Sequence, residues 1–152
     1  MTLEKIIEEI EGYYVDSDTE DAEIISFFEA IGDKIYKIRN INNLDKSRLI
    51  TSFFNYLKNQ TPELEENWTF IHLLEDIDKP KYSIYNDILI ETNKTRPTYT
   101  SVLLLNRHIN SIESGNSENY IDLLREISEN KGIHEDIREI AAEFYQYQLT
   151  KK

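Results

Sequence analysis

The chain has 152 residues, with 29 acidic against 17 basic side chains, a formal net charge of −12 and no cysteine. That length suits one domain with a sizeable core, and the missing cysteine excludes disulfides, thiolate catalysis and cysteine-ligated zinc. An acidic balance of this size repels phosphate backbones, so nucleic acid is not an expected partner, whereas a basic protein would be drawn in.

Met1 is followed by the charged stretch TLEKIIEEIE, which leaves no room for a secretory leader, so the cytoplasm is the expected compartment. The longest apolar run is VLLL at Val102–Leu105, far short of the roughly 18 residues a membrane span needs. The charge is laid down in blocks. Met1–Ala30 holds ten acids and one base, Ile31–Lys58 six bases and two acids, and Asn59–Asp78 six acids and no base. Such blocks can pair helix against helix, or leave an acidic patch for a partner.

Apolar residues recur at helical spacing almost throughout. Leu3, Ile6, Ile7 and Ile10 predict a first helix ending near Gly12. Ile24, Phe28, Ile31, Ile35 and Ile38 predict a second, widened by Ile25 and Phe27, with Gly32 inside it as a kink, a close contact or a tolerated residue. NINNLD at Asn40–Asp45 supplies caps for a third helix with Leu49, Ile50, Phe53, Phe54 and Leu57 on its core face. Pro62 suits the first turn of a fourth, whose stripe is Leu64, Trp68, Ile71 and Leu74.

Tyr82, Tyr85, Ile88 and Leu89 predict a short fifth helix, closed by the polar break ETNKTRP at Glu91–Pro97. ILIE at Ile88–Glu91 is the best strand candidate, but it is too short and isolated to build a sheet. Tyr99, Val102, Leu105, Ile109 and Ile112 space a sixth helix. Ser117 is placed to cap a seventh, carrying Tyr120, Leu123, Leu124 and Ile127. Gly132 divides it from an eighth, built on Ile133, Ile137, Ile140, Ala141 and Phe144. The expected fold class is therefore all-α, with about eight stacked antiparallel helices in a single domain over 1–152, as a bundle or an irregular solenoid.

The stretch DSDTEDAE at Asp16–Glu23 places five carboxylates in eight residues. A calcium loop starting at Asp16 would need Gly at its sixth position and Glu at its twelfth, and these are Asp21 and Phe27. A start at Asp18 fails at the fifth and sixth positions, Ala22 and Glu23. A capping box of Ser17 with Glu20 fits better, and would bring Asp18, Glu20 and Asp21 into the first turn of the second helix, with Asp18 or Thr19 as the alternative cap. One cap does not require so many like charges together. The surplus on Asp16, Asp18, Glu20, Asp21 and Glu23 therefore points to a basic partner, with Glu63, Glu65 and Glu66 as a second candidate group.

No other constellation has catalytic spacing, and no cofactor or metal is expected. His72 stands four residues before Asp76 and three before Glu75, a spacing that serves a metal pair, a general base or an ordinary helix-surface bond. An enzyme built on His72 with Glu75 or Asp76 is the catalytic alternative. His108 reads as a surface or packed turn residue, and His134, at the start of the eighth helix, as a cap or a solvent contact. Adjacent carboxylates such as Glu135 and Asp136 do not point together on a helix, as a glycosidase pair must. The aromatics of YYVD at Tyr13–Asp16 and YQY at Tyr145–Tyr147 lie on more than one helix face, a makeup that suits either a core edge or an interface.

HEDIREIAAEFYQY, His134–Tyr147, resembles the second helix of a HEAT-type repeat. Asp136, Ile137 and Arg138 stand where that family has its Asp, apolar residue and Arg; Ala141 and Ala142 match its alanine pair, and Phe144 the large apolar position. YIDLLREI would be the partner helix, and the likeness covers Pro97–Tyr147. The resemblance implies close helix approach at the alanines, an Asp and an Arg tying neighbouring repeats, and a binding scaffold rather than a catalyst. Small acidic proteins of this kind are similar to bacterial immunity proteins, which cover the site of a cognate, often basic, toxin domain. A structural or regulatory adaptor with a neutral partner is the alternative in the binding class.

Overall fold

The computed structural model describes residues 2–38, 40–60, 67–112 and 116–151. They form α1 (Leu3–Gly12), α2 (Asp21–Lys37), α3 (Asn43–Lys58), α4 (Trp68–Asp76), α5 (Ser83–Thr95), α6 (Tyr99–Ser111), α7 (Glu118–Glu129) and α8 (Glu135–Thr150). Among the described residues the class is all-α with no strand, and no helix is long and apolar enough to cross a membrane.

Local chemistry sets several of the starts. Thr2, Asn42, Asn67 and Thr98 each accept a backbone N–H from three residues on, as a short polar side chain at an N-cap does. At Thr98 the bond is reciprocal, since Ser101 Oγ accepts the Thr98 N–H at 2.7 Å. Of the two roles open to His134, cap or solvent contact, it takes the cap of α8, its Nδ1 accepting the Asp136 N–H at 3.2 Å. Ser117 occupies the N-cap of α7 but makes no side-chain cap bond.

The chain divides into two compact units, the first taking the described residues up to Ile88 and the second those from Leu89 on. In the first, α1 packs on α2 and α3, and α2 on α4. Its centre is aromatic. Phe28 lies 5.0 Å from Phe70 and 5.1 Å from Tyr56, ring centre to ring centre, in edge-on geometry. Around these rings sit Ile6, Ile10, Ile31, Leu49, Ile50, Ile71 and Leu74, all buried. Each such side chain contributes about 1.5–3 kcal/mol by leaving water. In the second unit α8 packs on α7 and α6. Val102, Leu105, Ile109, Leu124, Ile127, Ile137 and Ala141 make its core, with Ile90, Ile140 and Phe144 against it.

Several expectations are corrected. ILIE at Ile88–Glu91 is helical, and α5 continues through the expected polar break as far as Thr95. Asn93 explains the continuation: its Nδ2 donates to the carbonyls of Leu89 and Ser101, each at 3.0 Å, and its Oδ1 accepts from Ser101 Oγ. A polar side chain satisfied in this way can be buried without breaking the helix. Trp68, placed in a core stripe by its spacing, is 44% exposed because α4 only begins there. Pro62, Leu64 and the turn residue Gly115 lie outside the described residues. Gly32 faces the Leu73 side chain, and a Cβ added there would meet it at an ordinary contact distance of 3.4 Å.

Candidate functional site

The acidic stretch is a turn followed by a helix start. Asp16 Oδ1 accepts the Asp18 N–H at 2.9 Å and the Thr19 hydroxyl at 3.1 Å, while Thr19 Oγ1 accepts the Asp16 N–H at 3.1 Å. This local ring delays α2 to Asp21, with Glu20 at the N-cap and no side-chain cap bond. The Ser17–Glu20 capping box therefore does not form. Of the acids expected in the first turn only Asp21 is there, joined by Glu23, and both lie close to the positive end of the helix dipole. The side chains of Asp16, Asp18, Glu20, Asp21 and Glu23 all stand on exposed residues.

Three-dimensional pairing separates these acids from the rest of the N-terminal block. Glu9 binds Lys34 at 2.7 Å and Glu4 binds Arg48 at 3.0 Å, while Glu11 accepts from Asn55 Nδ2 at 2.6 Å. Hydrogen bonding by Arg48 lowers the Glu4 pKa. The acids of α1 are thus partly matched by the basic block on α2 and α3. None of the five carboxylates at Asp16–Glu23 forms an ion pair with a described residue. Glu63, Glu65 and Glu66, the second candidate group, lie outside the described residues.

Beside the turn is an aromatic shelf. The Tyr13 ring stacks on Phe27, with centroids 3.8 Å apart and planes within 8°. Phe27 follows Glu23 by one helical turn, so the two share one side of α2. Burial raises the Tyr13 pKa, and the Glu23 carboxylate adds to the rise, so the phenol stays protonated at neutral pH. Gln60 fixes the approach. Its Oε1 accepts the Val15 N–H at 3.2 Å, and its Nε2 donates to the carbonyls of Tyr13 at 3.3 Å and Tyr56 at 3.1 Å. YYVD marked this region as aromatic in the sequence, but nothing there marked Gln60, which stands 45 residues beyond Val15.

The histidines do not converge. The His72 ring rests near the Trp68 ring at 5.8 Å, while the Asp76 carboxylate pairs with Lys79 at 2.6 Å. Among the described residues no three His, Asp or Glu side chains gather with metal-ligand geometry. His108 is half-buried, edge-on to Tyr120 at 5.0 Å, and its Nε2 is buried with no hydrogen-bond partner among the described residues.

A buried acid that the spacing did not single out is Asp78, at 3% exposure. Its Oδ2 accepts the N–H groups of Ile84 at 2.8 Å and Tyr85 at 3.0 Å, closing the start of α5, while Lys46 Nζ stands 3.7 Å from Oδ1. This carboxylate is bound to the fold itself. Comparison with protein-family models, curated proteins and solved structures finds no match to the chain.

Proposed function

We propose that the chain is a non-catalytic protein-binding module of the immunity type, which neutralises a basic toxin domain in the bacterial cytoplasm by steering it in and covering its site. The observation that carries this reading is the division of the N-terminal acids. On α1, Glu4 and Glu9 are paired from within and Glu11 is held by an amide, while the five at Asp16–Glu23 stand exposed and form no ion pair with a described residue, on one turn and the helix start after it. Uncompensated like charges are unfavourable to hold together, and a cationic partner relieves that repulsion.

A HEAT-like scaffold is part of the proposal. Its support is the α7–α8 pair, where Ala141 is fully buried in the shared cluster, as close helix approach requires. The contacts of Asp136 and Arg138 among the described residues are local: the Asp136 carboxylate stands 3.8 Å from His134 Nδ1, and Arg138 Nε donates to the Ile133 carbonyl at 3.0 Å.

The test is to mix the protein with a basic toxin domain encoded beside it and measure affinity at low and high salt. Association that weakens at least tenfold as salt rises, with loss of toxin activity in the complex, is the expected result. Tight binding that ignores salt would favour the adaptor reading, and no binding to any neighbouring product would sink the proposal.

A further inference from the structure

The side of α2 turned away from Glu23 carries apolar residues that the fold leaves in water. Ile25, Glu29, Gly32 and Tyr36 follow one another by four, three and four residues, so they form one stripe along the helix. Gly32 lies against the Leu73 side chain, which sets this stripe beside the seam between α2 and α4. Gly32 lays no side chain over Leu73, and both residues are only half-buried, so water reaches the floor of the seam. Ile25 is 37% and Tyr36 89% exposed, one on each side of Gly32 along the helix. Single open apolar side chains are ordinary on a surface, but several in register beside an open seam mark a contact surface.

The edge of the seam is acidic. Glu29 and Asp33 are exposed on α2, and neither forms an ion pair with a described residue. Lys34, next in the chain, is drawn to Glu9 on α1 instead. An apolar floor with an acidic edge is complementary to an amphipathic helix whose polar face is basic. The length agrees, since Ile25 to Tyr36 spans about 16 Å at 1.5 Å per residue, three turns of an incoming helix. An added strand would find no sheet edge here, as the described residues contain no strand. We propose that the α2–α4 seam along Ile25, Gly32, Tyr36 and Leu73 docks an amphipathic helix of a partner protein, its apolar stripe over Gly32 and Leu73 and its basic residues against Glu29 and Asp33. This rests on the reading of the chain as a binder of basic proteins. It adds a second contact surface, on the far side of α2 from the acidic turn, and the type of element that fits it.

The probe is a peptide of about 18 leucine and lysine residues, arranged to be amphipathic as a helix and long enough to hold one when bound. Its control is a scrambled peptide of the same composition. Each is added to the isotope-labelled full chain at low salt and followed by NMR. The amphipathic peptide should bind at least about tenfold tighter than the scrambled one, with the largest shifts at Ile25, Gly32, Tyr36 and Leu73. Tyr36→Ala should weaken the amphipathic peptide about tenfold while leaving the urea midpoint in place. Glu29→Gln combined with Asp33→Asn should weaken it at low salt and not at high salt. Equal binding of the two peptides, shifts confined to Asp16–Glu23, or undiminished binding to the Tyr36→Ala chain would overturn the groove while leaving the basic-partner reading standing. Failure of both peptides to bind at low salt would overturn both.

Discussion

Asp78 and His108 show opposite ways of burying an ionisable side chain. Asp78 is surrounded by donors, the amides of Ile84 and Tyr85 with the Lys46 ammonium beyond them. Asp78→Ala would leave two amides and a lysine without their acceptor, and should cost about 2–4 kcal/mol of unfolding free energy in a urea titration. His108 has the reverse problem: desolvation lowers its pKa, and its Nε2 has no hydrogen-bond partner among the described residues. The unfolded chain therefore binds the proton more readily. Stability contributed by the neutral ring is whole above the ordinary histidine pKa of about 6.5 and is lost as pH falls below it. The urea midpoint should drop between about pH 7 and pH 5.5, before most carboxylates titrate, and His108→Phe should flatten that part of the profile.

At the scale of the helix, apolar periodicity carried most of the information. Ile24, Phe28 and Ile31 are buried in α2 and Leu123, Leu124 and Ile127 in α7, as their spacing predicts. Leu124→Ala, at a fully buried position, should cost about 2–5 kcal/mol, whereas Tyr36→Ala, on the open face of α2, should change stability by less than about 0.5 kcal/mol. Asn42 accepts the Asp45 N–H at 2.8 Å, so Asn42→Ala should cost about 1 kcal/mol in the same assay.

What periodicity could not reveal was polar burial. Asn93, Asp78 and Gln148 read as surface letters, yet each is buried because the fold supplies it with partners, four to eight residues away for Asn93, six and seven for the amides on Asp78, and far along the chain for Gln148. Gln148 Nε2 donates to Asn106 Oδ1 at 2.7 Å and Asn110 Oδ1 at 2.8 Å, from 42 and 38 residues away. The candidate site was half legible for the same reason. The density of acids at Asp16–Glu23 can be counted in the sequence, but which acids are already matched depends on contacts such as Glu9–Lys34, 25 residues apart. Counting charges gives a total; only the fold gives the remainder.

For the chain as a whole, the net charge of −12 makes electrostatics a matter of rate as well as affinity. A field of one sign acts over roughly 30 Å in dilute salt and 10 Å at about 0.1 M, so added salt should slow association with a basic protein more than it speeds dissociation. Replacing Asp16, Asp18, Glu20, Asp21 and Glu23 together by their amides removes five negative charges without removing side-chain bulk. Unfolding free energy should move by less than about 1 kcal/mol, since lost dipole interactions offset relieved repulsion. Stopped-flow association with a basic partner should fall at least tenfold at low salt and converge with the parent at high salt.

The Gln60 clamp gives the acidic turn a clock of its own. The Val15 amide is held by the Gln60 side chain, just past the end of α3, rather than by a repeating backbone ladder. Its exchange with deuterated solvent should therefore time the lifting of the turn away from α3, separately from global unfolding. Gln60→Ala should speed that one proton while helix-interior amides of α3 keep their protection, and a saturating basic ligand should slow it again.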